Sequence, residues 1–185
     1  MNVVGITHFL RMLNKAVNDL ESGRDSDEEP AKEISIELPI TAIIPESYIG
    51  SSKEKIELYQ KLSSADNFEY LKELRLEVEQ DFGRLPVEVL NLFDIIELKI
   101  LAKKAHLTNI KAVNVGNQKL GKMIVLSFTK QLKPENIMNM LNTNSKWQIS
   151  SDKLKIYMKD LGVVWIPALK DSVTALGESI VISDS

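Results

Sequence analysis

The sequence predicts an α+β fold, in which a helical N-terminal half packs with a smaller half built from β-hairpins and helices. Apolar residues recur at helical spacing through most of residues 3–106, and they alternate with polar residues in several short runs after residue 107. The composition, with 44% hydrophobic and 26% charged residues, is that of a globular protein and excludes a wholly disordered or fibrous chain. We therefore expect a mainly helical part (3–106), a small α+β part (107–166) and a C-terminal helix with a polar tail (167–185).

The N-terminal half starts with a predicted helix over residues 3–21, because apolar residues recur there every three or four positions. The chain starts almost inside this helix, so we expect it to be a piece of a longer protein. Ile34 to Leu38 alternates apolar with polar residues, which predicts a half-buried strand. Pro39 and Pro45 frame a second extended segment.

Three further helices are predicted in this half. Ser51 and Glu54 stand at the spacing of a capping box and mark the start of the first. The second starts at Asp66–Asn67 and ends at Gly83, which supplies a left-handed C-terminal residue. The third spans about 86–105 and is apolar on most sides, which predicts a central buried helix. The residues expected to face inward from the first two helices are Ile56, Tyr59, Leu62, Phe68, Leu71, Leu74, Val78 and Phe82.

The second half shows the alternation typical of strands, interrupted by short helical stretches. The strands are expected at 110–115, 123–129, 147–149 and 154–158, and the helices at 134–141 and 167–176. The first two strands and the last two strands are each close enough in sequence to form a hairpin.

Composition and motifs disfavour a catalytic site. The chain has no cysteine and only two histidines, His8 and His106, so disulfides, thiolate metal sites and a cysteine nucleophile are excluded. Gly116 to Lys122 matches the first seven positions of a phosphate-binding P-loop, but Met123 stands where the motif requires Ser or Thr. A strand-like run follows where the motif requires a helix, so we interpret this segment as a hairpin turn. We expect no catalytic residue, no cofactor and no metal, and no apolar run approaches the 18 residues of a membrane span.

The first candidate binding surface is a lysine block within residues 99–133, a segment without acidic residues. Its members are Lys99, Lys103, Lys104, Lys111, Lys119, Lys122, Lys130 and Lys133. Lysines can bind the phosphates of a nucleic acid in a salt-dependent, sequence-independent way. The segment contains no arginine and only Phe128 for stacking on bases, which is little for a single-strand platform. Solvated polar faces of a helix and a hairpin are the simpler interpretation.

The second candidate surface is an acidic ridge on the predicted helix that ends at Gly83. It consists of Glu69, Glu73, Glu77 and Asp81, which stand at successive i, i+4 positions. Like charges at this spacing repel each other, so reversing Glu73 and Glu77 is expected to relieve repulsion within the isolated helix. The ridge is either a solvated face or a docking surface for a basic partner.

Three blocks of sequence resemble the C-terminal domain of bacterial transcription-repair coupling factors. They are Val4-Gly5-Ile6 with FLRMLNKAV, then IELPITAIIPESYI with KIELYQKL, and above all ELRLEVEQDFGRLPVEVLNLF. Their order and spacing match over roughly residues 3–106, while residues 107–185 carry no diagnostic motif.

The resemblance implies the terminal regulatory domain of an ATP-dependent DNA translocase, which displaces stalled RNA polymerase from DNA and recruits UvrA for nucleotide excision repair. In the family this domain docks on the N-terminal UvrB-like module, masks the UvrA-binding surface and restrains the motor. Glu77 matches an acid of the family's docking face. Gln80 stands where the family usually has Asp, so the docking role of the family's acids is carried over to Glu77 and not to Gln80. His106 replaces a common glycine at the end of the central helix.

The resemblance and the acidic ridge favour the same function. We expect a non-catalytic, autoinhibitory interaction domain of a cytoplasmic protein, which binds the UvrB-like module intramolecularly and does not contact a membrane. The alternative is a nucleic-acid-binding module that uses the lysine block.

Overall fold

The computed structural model describes residues 34–116 and 121–181 of the 185-residue chain. The helix expected at residues 3–21 therefore lies outside the described residues, as does most of the turn expected at 116–121. The described chain divides into two units. The first consists of residues 39–100, and the second of residues 34–38 and 101–181.

Helices dominate the first unit, and their starts agree with the local sequence signals. Helix α1 spans Ser52–Ser64, and the Ser51 hydroxyl accepts a hydrogen bond from Glu54 N at 3.4 Å. Helix α2 spans Phe68–Phe82, and Asn67 Oδ1 accepts a hydrogen bond from Tyr70 N at 2.8 Å. Each cap satisfies a backbone N–H that has no partner within its helix, which confirms both predicted helix starts.

The buried stripes of α1 and α2 differ in part from the expected ones. Leu62, Leu71, Leu74 and Val78 are buried as predicted. Ile56 is 41% exposed, and Leu58 is buried in its place, one turn before Leu62. Phe68 is 37% exposed and Phe82 is half-buried. These two residues are the first and last of α2, so their side chains lie beyond the middle part of the helix, which is the part that is fully buried.

The turn after α2 depends on glycine. Gly83 has φ 84° and ψ −165°, a combination open almost only to glycine, and its N–H donates to Glu79 O at 3.0 Å. The Tyr48 hydroxyl donates to Gly83 O at 2.9 Å, and the Tyr48 ring lies 6.1 Å from that of Phe82. Burial, and secondarily the Glu79 carboxylate, raises the pKa of Tyr48, so its hydroxyl stays protonated as a donor.

Helix α3 spans Val87–Lys104, and the boundary between the two units falls within it. The prediction of a buried helix is confirmed, because its side chains are covered on most sides. The buried residues are Val89, Leu92, Phe93, Ile95, Ile96, Leu98, Ile100 and Ala102.

The segment before α1 is held by side chains and not by a strand ladder. Ile44 N donates to the Tyr59 hydroxyl at 2.8 Å, and Asn91 Nδ2 donates to Thr41 O at 2.8 Å. The extended segment expected between Pro39 and Pro45 therefore exists as irregular chain, with Ala42 and Ile44 buried.

The second unit is built on a mixed five-stranded sheet with the order β1-β2-β3-β5-β4. Strand β1 runs parallel to β2, and all other neighbours are antiparallel. The strands are β1 (Ser35–Glu37), β2 (Leu107–Asn114), β3 (Lys122–Phe128), β4 (Gln148–Ile149) and β5 (Lys153–Tyr157). This arrangement joins the two predicted hairpins and the predicted strand at 34–38 into one sheet.

One face of the sheet supplies the core of this unit. Ile36, Ile110, Leu126 and Leu154 stand side by side on four strands, and all are buried. The helices of the unit are α4 (Pro134–Thr143), α5 (Met158–Leu161) and α6 (Trp165–Val181), and α4 packs against α6. The helices and the mixed sheet together confirm the predicted α+β class.

Candidate functional site

The four residues of the acidic ridge lie along α2, and all four are exposed. They do not share one surface feature. Glu77 and Asp81 line a groove between α1 and α2, whereas Glu69 and Glu73 are not among the residues that line it.

The groove between α1 and α2 combines an acidic rim with an apolar floor. Helix α1 contributes Glu54 and Glu57 to the rim, opposite Glu77 and Asp81 of α2. The floor consists of Leu58, Leu74, Val78 and Phe82, and the cavity has a volume of about 150 Å³. Among the described residues that line the groove, four are carboxylates and one is a lysine, Lys61, so the groove suits a partner side chain with an apolar stem and a cationic head.

Glu77 already has a partner within the chain. Lys61 Nζ lies 2.6 Å from Glu77 Oε1, with the two side chains 45% and 50% exposed. The hydrogen bond to Glu77 is the main reason that the pKa of Lys61 is raised above 10.5. An exposed ion pair of this kind contributes about 0.2–1 kcal/mol.

This ion pair opposes the gain in stability that is expected from reversing Glu77. The i, i+4 neighbours of Glu77 lie on the same helix, whereas Lys61 is 16 residues away on α1. Reversal at Glu77 removes an attraction to Lys61 and places two cations together, which offsets the relief of repulsion along α2.

The lysine block is spread over α3, β2, β3 and the loop before α4. Lys111 pairs with Glu37 across β1 and β2 at 3.0 Å, which neutralises it locally. Lys103, Lys104, Lys122, Lys130 and Lys133 are exposed, and Lys119 lies outside the described residues.

The interpretation of Gly116 to Lys122 as a hairpin turn is confirmed at both of its ends. Val115 N donates to Gly121 O at 3.0 Å, and Lys122 starts β3 where a P-loop would start a helix. Among residues 34–116 and 121–181, no group of three or more histidines and acids is placed to hold a metal ion. Within the same ranges, no helix has the length and apolarity needed to cross a bilayer.

Comparison with known proteins identifies the fold. A solved structure described as the C-terminal domain of transcription-repair coupling factor matches with a TM-score of 0.65 at 21% identity. The match covers 81% of this chain and 92% of that one.

Sequence comparison extends the likeness over the whole chain. A transcription-repair-coupling factor from Staphylococcus haemolyticus is 31% identical over 188 residues, which cover 98% of this chain and 15% of that protein. One from Borreliella burgdorferi is 37% identical over 111 residues, or 60% of this chain and 10% of that protein. The chain thus corresponds to a small part of the length of these relatives. The family model for the TRCF domain matches residues 38–136, so the chain belongs to the TRCF domain family of transcription-repair coupling factors.

Proposed function

We propose that this chain is an autoinhibitory docking domain, and that the α1–α2 groove is the surface through which it docks. The proposed partner is a basic surface on the UvrB-like N-terminal module of the same protein. Docking there masks the UvrA-binding surface and restrains a motor that moves on DNA and displaces RNA polymerase. The observation that carries the proposal is the acidic rim over an apolar floor, since complementary charge and apolar contact together give a specific interface.

Lys61 competes with the docking partner for Glu77. A partner cation that binds Glu77 must displace Lys61, which lies 2.6 Å away. Removing Lys61 therefore strengthens docking, while removing Glu77 weakens it. Opposite signs from two neighbouring substitutions are a pattern that a general loss of fold does not produce.

The four acids of the ridge supply a matched control. Glu77→Lys with Asp81→Lys reverses the two acids that line the groove, and Glu69→Lys with Glu73→Lys reverses the two that do not. Both pairs change the net charge of the same helix by the same amount. Each variant is compared with the parent for binding to the isolated N-terminal module at near-physiological salt.

We expect the groove pair to lose about 2–5 kcal/mol of docking free energy, as for buried charge pairs broken at an interface. The control pair is expected to lose less than about 1 kcal/mol, as for exposed charges. Lys61→Gln is expected to bind more tightly than the parent. Equal losses from both pairs would show a general charge effect, and no loss from either would remove the ridge and leave the lysine block as the next candidate.

The proposal assigns no catalysis to this chain. We expect the 185-residue chain to hydrolyse no ATP. If turnover is observed, the Lys122→Ala variant tests whether it depends on the segment that resembles a P-loop. Turnover that Lys122→Ala abolishes would contradict the hairpin interpretation and the docking role together.

A further inference from the structure

A cavity of about 330 Å³ lies in the second unit, where the end of α3 meets the loop that leads from β3 into α4. His106 contributes one wall, the loop residues Thr129 to Lys133 a second, and Asn136 in the first turn of α4 a third. Among the residues that the structure describes, no acidic side chain lines it. Its electrostatic character is therefore opposite to that of the α1–α2 groove.

Cationic and backbone donors surround this cavity. Lys130 and Lys133 are exposed and line it, and neither belongs to an ion pair among the described residues. Lys133 is also the N-cap of α4, and its side chain provides no acceptor for the N–H groups of the first turn. The N-terminus of a helix with free N–H groups favours an anion. Glu135, the acid of that turn, is exposed and does not line the cavity.

Asn136 is an independent sign of a ligand. Its side chain is 8% exposed, and its Oδ1 is buried without a hydrogen-bond partner. Buried polar atoms almost always have a partner, because leaving one without a partner is costly. The Asn136 amide can turn by half a rotation and present either its oxygen or its NH₂ group, so it can donate to an anion or accept from a hydroxyl.

Backbone contacts hold the walls in place. Thr129 N donates to His106 O at 2.8 Å, and Leu132 N donates to Ser151 O at 2.6 Å. His106 follows α3 and has φ 53°, the left-handed conformation in which many helices end, and its N–H donates to Lys103 O at 3.2 Å.

We propose that this cavity binds a phosphate group. Lys130 and Lys133 supply the opposite charge, the backbone N–H of Asn136 donates to a phosphate oxygen, and the Asn136 side chain, with its NH₂ group turned toward the cavity, donates to another. The phosphate is either free inorganic phosphate or the terminal phosphate of a nucleic-acid strand. This site is separate from the α1–α2 groove and does not depend on the docking proposal.

Nuclear magnetic resonance on the 185-residue chain tests the site directly, since it observes the amide groups that are proposed to bind. Inorganic phosphate is titrated at constant ionic strength, with chloride as the exchanged anion. We expect saturable shifts of the backbone and side-chain amide resonances of Asn136. Lys130→Gln with Lys133→Gln is expected to weaken binding at least about tenfold, since hydrogen bonds to charged groups are the strong ones.

The control variant carries Lys146→Gln and Lys155→Gln, two exposed lysines outside the cavity. It has the same net charge as the test variant and is expected to bind phosphate as the parent does. Shifts that do not saturate, or equal weakening in both variants, would overturn the proposal. A 5′-phosphorylated oligonucleotide and its 5′-hydroxyl form then separate the two sources: selective shifts with the phosphorylated strand indicate a nucleic-acid end, and shifts with inorganic phosphate alone indicate the free ion.

Discussion

Gly83→Ala is the substitution whose effect the structure predicts most directly. An added Cβ at Gly83 would meet no atom within 4 Å, so no steric clash contributes. The cost comes only from the backbone, which has φ 84° and ψ −165° at this position. If the backbone keeps this conformation it is strained, and if it relaxes it disturbs the 2.9 Å hydrogen bond from the Tyr48 hydroxyl to Gly83 O.

The expected magnitude is a difference of two terms. Holding a non-glycine residue in a sparsely populated region costs about 1–3 kcal/mol. The alanine also lowers the entropy of the unfolded chain, which returns about 0.4–1 kcal/mol. We therefore expect a net loss of about 0–2.6 kcal/mol, and its middle value of about 1.3 kcal/mol lowers the melting temperature of a chain of this size by about 3–5 °C.

Gly50→Ala is the matched control. Gly50 does not have a positive φ, and an added Cβ would lie 3.8 Å from Glu46 O, an ordinary contact. Its expected change in unfolding free energy is within about 0.5 kcal/mol. Urea titrations of the parent and both variants, followed by circular dichroism, give the comparison. Equal stability of the Gly83 and Gly50 variants would refute the backbone assignment after α2.

Three further substitutions test the packing and the ion pairs. Phe82→Ala is expected to cost about 1–2 kcal/mol, below the 3–5 kcal/mol typical of a fully buried phenylalanine, because the ring is half-buried against Tyr48; a urea titration showing the larger loss would contradict this burial. Gly177→Ala is expected to stabilise α6 by about 0.5–1 kcal/mol, since its Cβ would make an ordinary 3.7 Å contact with Ala105, and a lower melting temperature would contradict it. Lys111→Gln is expected to cost less than about 1 kcal/mol at low salt and nothing measurable in 1 M salt, because the pair with Glu37 is exposed.

The starts and ends of helices could be predicted because their signals are local. Ser51 caps an N–H three residues away, and Asn67 does the same at the next helix. Gly83 was recognisable as a helix end for the same reason. The contacts that define these features join residues at most four positions apart, so the order of the residues determines them.

Burial near helix ends could not be predicted from periodicity alone. The stripe of α2 includes Phe68 and Phe82 by spacing, yet only its middle residues are fully buried. In α1, Leu58 is buried and Ile56 is exposed, because the face that packs is decided by the neighbouring elements. Periodicity shows that a helix has an apolar face, but not how far the covering elements extend along it.

The sequence by itself determined most of the elements, the capping residues, the buried character of α3 and, through its three blocks of resemblance, the family. Only the tertiary structure decided that β1 lies parallel to β2, that Glu77 pairs with Lys61, and that Asn136 shares a cavity with Lys130 and His106. The physical reason is one of range. Helix caps and hydrophobic periods arise from neighbours along the chain, whereas strand order, ion pairs between helices and cavity walls depend on how the folded core brings distant residues together.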